Sequence, residues 1–348
     1  MKLYLHIGLQ KTGTTSIQHA LSQSREILRK DGLYFPDDDE LPDIYAGNAM
    51  GLKPFASGKG DAFRQWVVQG PDEYRQHFAE RLRMSTERAG RAGCRGYILS
   101  SERCSTLAGA SEIGRLRTLM EEFFSAVDII IYLRDQLSYC VALYATAVAG
   151  GGTHSLDSAL SDNRFRRSGL NFDLLCRRWE ESWGQASVKV RLFPGSSQGK
   201  HFLLEDFASA IDFDGRLMCS VKKNQSWSLG TTEVLRRINQ RSCNPVGGGK
   251  HYRKAIHEFL ATQVEPYMRR ITPSLIDSVN PELKRKVTRQ FADSNDRLAI
   301  RHNLPRPLFP DAGRSANAET GSHRQLVKPD AEFLNAMAEM VAAFWVKQ

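Results

Sequence analysis

The chain lacks the features that would place it in several large classes. Its six cysteines, at 94, 104, 140, 176, 219 and 243, form no CxxC pair and no metal-ligand spacing. That excludes a zinc ribbon or a dense disulfide framework, and leaves thiols that act as small apolar side chains in a reducing compartment. No metal is expected. No apolar run reaches the roughly 20 residues that a bilayer span needs, so no transmembrane segment is expected. The chain enters a strand-like run at once, with no basic n-region and no small-residue cleavage site. A cytoplasmic protein is the expectation, with peripheral membrane association compatible with its charge. RNP and zinc-finger signatures are missing as well. A net charge of +9 and a pI near 9.3 favour anionic partners. The excess is scattered as RR and KR pairs that read as solvated helix faces, so nucleic acid is not an expected partner.

What is present is an ordinary globular composition, 41% hydrophobic and 25% charged over 348 residues, enough for one large domain or two small ones. The most informative stretch is KLYLHIGLQKTGTTSIQ, Lys2 to Gln18. An apolar run, Leu3 to Leu9, gives way to Gln10, Lys11, Thr12, Gly13, Thr14, Thr15 and Ser16. A helix follows with Ile17, Leu21 and Leu28 on one stripe. A strand, a glycine-bearing turn and a helix N-terminus make an anion site, because the first helical amides lack intrahelical partners and the helix dipole favours negative charge there. Gly8 and Gly13 have the spacing of the Walker A loop, G-x-x-x-x-G-K-[ST], but Thr14 stands where its lysine belongs, and the only lysine is Lys11.

K-[TS]-G-T-T after a first strand resembles the 5′-phosphosulfate-binding loop of sulfotransferases that use 3′-phosphoadenosine-5′-phosphosulfate (PAPS). The fuller string HIGLQKTGTTSIQ is similar to the bacterial carbohydrate-sulfotransferase branch. KKNQSWSL and FADSNDRLAIRHNLP extend the likeness into the second half; it is thin between residues 40 and 95 and absent after about 310. The resemblance implies PAPS as co-substrate, a carbohydrate or glycolipid hydroxyl as acceptor, and Lys11, Thr12, Gly13, Thr14, Thr15 and Ser16 as the 5′-phosphosulfate loop. Relatives often carry a histidine in the 41–59 stretch. This chain has Asn48 in AGNAMGL, so no base is placed there.

Along the rest of the chain, strands are expected at 32–35, 96–102, 127–134 and 187–193, and helices at 71–91, 112–124, 136–148 and 171–183. The almost continuous β-branched run VDIIIYL reads as a parallel strand buried on both faces. Alternation of this kind predicts an α/β three-layer, P-loop-like fold with a mainly parallel sheet flanked by helices. From about Met218 the pattern turns to helix after helix: 231–239, 251–268, 281–302 and a last one with Phe333, Met337, Met340, Val341 and Phe344 on one face, reading as a core-docking face. The expected division is a core at 1–217 and a helical C-terminal extension at 218–348, with a mobile loop at 311–328.

Ligands in open parallel sheets sit beyond the carboxyl ends of strands. Lys11, Glu102 and Arg134 occupy three such ends. The resemblance implies that an arginine at a strand end and a serine eight residues on contact the cofactor's 3′-phosphate. Arg134 in YLRDQLSYCVALY fits the first, and its planar fork suits phosphate; the alternative is a capping arginine paired to Asp135 or Glu102. Ala142 stands where the serine belongs. Ser138, one helical turn earlier on nearly the same face, is the candidate substitute. For the base that an acceptor hydroxyl requires, Glu102 is the first candidate and His6, inside the first strand, the second. Competing readings are a P-loop-type kinase or NTPase, which predicts ATP and Mg²⁺ dependence, and a non-catalytic nucleotide-binding relative.

Overall fold

The first strand the chain makes becomes the centre of its sheet. A computed structural model describes residues 1–41, 44–45, 47–57, 70–161, 170–194, 199–218, 227–241, 250–310 and 330–346. Five parallel strands, β1 (Lys2–His6), β2 (Leu33–Tyr34), β5 (Gly96–Ser100), β6 (Ala126–Leu133) and β7 (Val188–Leu192), lie in the order β2-β5-β1-β6-β7. A small antiparallel pair, β3 (Ile44–Tyr45) with β4 (Asn48–Ala49), stands apart. The chain leaves β1 towards β2 on one side, whereas β5, β6 and β7 follow one another towards the other. Right-handed crossovers then put the two sets of connections on opposite faces, and the crevice at this reversal opens beside the carboxyl end of β1.

Two compact units make up the chain: Met1–Arg134 with Asn171–Lys222 and Asp293–Leu308, and Asp135–Leu170 with Lys223–Ala292 and Phe309–Gln348. The first unit holds the sheet. Side chains alternate across it, so Tyr4, Ile98, Ile130 and Tyr132 share one face, covered by Ile17, Ala20 and Leu21 of α1 (Thr14–Gln23) and by Leu203, Phe207 and Ile211 in and just after Gly199–Ala210. Leu3, Leu5, Leu99, Ile129 and Ile131, on the alternate positions, are equally buried. The helix Ala110–Phe123 packs with Phe172–Trp183, which in turn lies on β6 and β7. The molecule is therefore α/β, with a parallel sheet between helix layers, as the alternation in the sequence predicts.

Several elements depart from expectation. The stripe Ile17, Leu21, Leu28 is split at Ser24 into α1 and α2 (Arg25–Lys30); the Ser24 hydroxyl accepts from the Met218 amide at 2.8 Å, a tertiary contact that local periodicity does not show. Short helices at Leu52–Ser57 and Leu156–Ser161 occupy stretches that read as loop. The helix at Gly199–Ala210 has no counterpart in the sequence reading. Asp173, on the helix Phe172–Trp183, receives Arg297 at 3.3 Å and Arg301 at 2.5 Å, and Glu180 receives Arg301 at 2.8 Å and His302 at 2.6 Å. This clamp fastens residues 297–302 to the sheet unit.

The second unit is helical among the described residues, with one isolated bridge, Ser228 to Ser274. Leu229–Arg241 packs with Gln136–Ala149 and with Ala331–Val346. Tyr144 donates to Glu233 at 3.1 Å, and Asn239 donates to the carbonyls of Val148 and Gly152. The single helix expected over 251–268 is two, Lys250–Phe259 and Glu265–Ile271, joined by a π-helical turn at Leu260–Val264. Pro266 gives the reason: it lacks an amide proton, and its ring crowds the carbonyl four residues back, so the preceding turn widens. In the last helix Leu334, Ala338 and Val341 are buried, and Phe333 and Met337 flank that stripe. The 311–328 stretch lies outside the described residues.

Candidate functional site

The loop between β1 and α1 owes its path to three residues with positive φ: Gly8 at 63°, Lys11 at 63° and Gly13 at 80°. At Gly8 a Cβ would come within 2.9 Å of both the Glu102 Cα and the Thr14 methyl carbon. Only glycine lets the loops after β1 and β5 approach so closely. Gly13 is the N-cap of α1, and a Cβ there would sit 2.3 Å from Leu203 Cδ2 and 3.1 Å from Phe193 Cε2. The Thr12 hydroxyl is fully buried and closes the loop internally, donating to the Leu9 carbonyl at 2.6 Å. Its side chain is part of the loop's frame.

The Gly13 carbonyl accepts from the amides of Ser16 at 2.9 Å and Ile17 at 3.0 Å. Among the described residues none accepts from the Thr14 or Thr15 amide, the first two of the helix. Thr15 is exposed, Ser16 half-buried, and the Lys11 side chain exposed. The donor set is thus backbone N–H, hydroxyl and ammonium, with the positive end of a helix behind it: a composition that fits an anion.

Two neighbouring strand ends complete the cluster. The loop after β5 is tied to β1 by Ser101 N–H to the His6 carbonyl at 2.8 Å and Ser105 N–H to the Ile7 carbonyl at 3.3 Å. Half-buried Glu102 there accepts the Thr14 hydroxyl on Oε2 at 2.9 Å. Arg134, at the end of β6, donates from Nη1 to the Lys11 carbonyl at 3.2 Å, and its guanidinium lies 5.5 Å from the centroid of the Phe193 ring. The structure therefore brings Lys11, Thr14, Glu102 and Arg134 together.

His6 lies in the core of the sheet. His6 is fully buried: Nδ1 is 2.9 Å from the Ser100 hydroxyl, which also accepts from Gln18 at 3.1 Å, and the rings of Tyr132 and Phe207 stand edge-on to it. Burial pushes its pKa down to about 3. His6 is a neutral core residue, shut off from any acceptor, and its expected place as second base candidate is corrected accordingly. Ser138 belongs to the second unit, in the first turn of Gln136–Ala149, where its amide donates to the capping carboxylate of Asp135 at 2.8 Å. The side chain of Ala142 has no polar atom to offer.

Sequence reasoning missed Phe193 and Leu203, both packed against Gly13. The signal for Leu203 was present: Leu203, Leu204, Phe207, Ala208 and Ile211 recur at helical spacing. Phe193 carried no such signal.

Among the described residues no group of three or more His, Cys, Asp or Glu could hold a metal ion, and no helix is long and apolar enough to cross a membrane. No family model and no curated protein matches the chain. Among solved structures, the crystal structure of a sulfotransferase from Alicyclobacillus acidocaldarius is similar at 15% identity, with a TM-score of 0.47, covering 86% of this chain and 95% of that one.

Proposed function

We propose that the chain is a PAPS-dependent sulfotransferase that transfers the sulfuryl group to a hydroxyl of a carbohydrate acceptor, a polysaccharide, oligosaccharide or glycolipid. The observation that carries this reading is the convergence at the β1 crevice: an anion-fitting loop with Lys11 in place of a Walker lysine, Arg134 bonded to that loop, and the Glu102 carboxylate on its other side. The resemblance of HIGLQKTGTTSIQ to the carbohydrate-sulfotransferase loop supplies the donor and the acceptor class.

The amides of Thr14 and Thr15 and the hydroxyls of Thr15 and Ser16 hold the 5′-phosphosulfate, and Arg134 binds the 3′-phosphate. The acceptor oxygen attacks sulfur in line, the bond from sulfur to the bridging phosphate oxygen breaks, and 3′,5′-ADP leaves. Charge builds on that bridging oxygen, where the Lys11 ammonium stabilises it. Glu102 takes the acceptor's proton. Its Oε2 holds Thr14, and the carboxylate has further lone pairs for the acceptor hydroxyl.

The test is a thermal-shift comparison of 3′,5′-ADP with ATP plus Mg²⁺, followed by transfer from labelled PAPS to a panel of glycans. A ligand at a hundred times its Kd adds about 2.7 kcal/mol to stability, so selective stabilisation by 3′,5′-ADP that is lost in Arg134→Ala is the expected result. Stabilisation by ATP alone would overturn the reading in favour of a kinase. Binding of 3′,5′-ADP without transfer to any glycan would leave a non-catalytic relative.

A further inference from the structure

Phe193 has no place in the proposed chemistry, yet it touches both halves of the site. Its amide donates to the Leu133 carbonyl at 2.7 Å, so the backbone is fixed to the end of β6, one residue before Arg134. Its side chain is partly buried and packs against the apolar cluster under α1. One ring edge closes over Gly13, and the ring centroid lies 5.5 Å from the Arg134 guanidinium carbon. Arg134 in turn bonds the carbonyl of Lys11, a non-glycine residue in the left-handed region. Such a backbone conformation persists only where its surroundings over-determine it.

We infer that Phe193 is a positioning residue: its ring is the platform on which the Arg134 guanidinium rests, and through Arg134 it holds the loop at Lys11 in its left-handed turn. The physical basis is the attraction of a cation to an aromatic face, strengthened where water is partly excluded, together with the loss of arginine rotamer freedom that the platform settles in advance. A side chain of similar volume without a π-face keeps the packing and loses the platform. The consequence for nucleotide affinity rests on the proposed role of Arg134 at the 3′-phosphate; the consequence for the loop does not.

The experiment compares wild type, Phe193→Leu, Phe193→Trp, Arg134→Ala and the double variant Phe193→Leu/Arg134→Ala. The first readout is amide hydrogen–deuterium exchange without ligand, in peptides spanning residues 9–18, where the Leu9, Ser16 and Ile17 amides are hydrogen-bonded. Phe193→Leu is expected to raise exchange there several-fold and Phe193→Trp to leave it near wild type, with the double variant no faster than Arg134→Ala. The second readout is the Kd for 3′,5′-ADP, expected to weaken about three- to tenfold in Phe193→Leu and not further in the Arg134→Ala background. Unchanged loop exchange in Phe193→Leu would overturn the inference, as would a rise spread evenly over the sheet unit, which marks an ordinary core residue. If exchange responds as expected but wild type does not bind 3′,5′-ADP, the positioning role stands and the nucleotide reading falls.

Discussion

The Thr14 hydroxyl donates to the Glu102 carboxylate at 2.9 Å, across the narrow gap that Gly8 keeps open between two strand-end loops. A carboxylate beside the proposed anion site is unfavourable for the anion, which sets Glu102 apart from the other groups of the cluster. Replacing Glu102 with Gln keeps the shape and the acceptor oxygen for Thr14 but removes the charge and the basicity. The expected outcome is a fall of about 10²- to 10⁴-fold in kcat, with affinity for 3′,5′-ADP unchanged or tighter. Single-turnover transfer and equilibrium binding separate the two, and equal losses in both would deny Glu102 the role of base.

Gly13→Ala tests how tightly the loop is seated. The left-handed φ costs an alanine about 1–2 kcal/mol, and contact at 2.3 Å with Leu203 Cδ2 adds about 1–3 kcal/mol of overpacking. A drop in melting temperature of several degrees is expected. In a Leu203→Ala background the drop is expected to be smaller, because the clash is gone while the φ penalty remains. Additive losses would show that Leu203 is not the limiting contact.

How much of this was legible follows from what each feature depends on. The loop, the buried β6 run and the three strand-end residues are local patterns, and the parallel alternation constrains where they meet. Glu102 and Arg134 could be placed at the same sheet edge as Lys11 without coordinates. The Thr14–Glu102 bond could not, because it needs the 88-residue return of the chain to the strand beside β1. His6 shows the opposite failure. A histidine in the first strand reads as a base near the loop, but both faces of the sheet are covered by helices, and His6 is buried against Ser100, Tyr132 and Phe207. Pro266 was visible all along, and its effect on the 251–268 helix is the ordinary one of proline in a helix interior.

Lys11 separates backbone strain from chemistry. Its φ of 63° disfavours any side chain with a Cβ. Glycine there relieves about 1–2 kcal/mol, offset by about 0.5–1 kcal/mol of extra freedom in the unfolded chain. Lys11→Gly is therefore expected to be more stable than Lys11→Ala by roughly 0.5–1 kcal/mol, and both are expected to lose transfer. Melting temperatures of the two variants check the first statement. A Lys11→Gly variant no more stable than Lys11→Ala would mean that the loop relaxes out of the left-handed turn.

The buried His6 gives a pH dependence of stability whose sign is fixed. Its pKa falls from an ordinary 6.5 in the unfolded chain to about 3 in the fold, because burial disfavours the imidazolium. Between those values the unfolded chain holds the extra proton, so folding stability rises with pH there and levels off above about 6.5. The maximum slope from one such group is about 1.4 kcal/mol per pH unit. Wild type is expected to lose stability progressively as pH drops below 6.5, and His6→Asn, which keeps a donor near Ser100 but does not titrate, is expected to lose less over the same window. Denaturant midpoints at a series of pH values between 4 and 7.5 measure the difference. The same burial predicts that the transfer rate shows no ionisation belonging to His6, so the acid limb of the pH–rate profile is expected to survive in His6→Asn. An acid limb lost with His6 instead would move the base from the loop after β5 to the first strand.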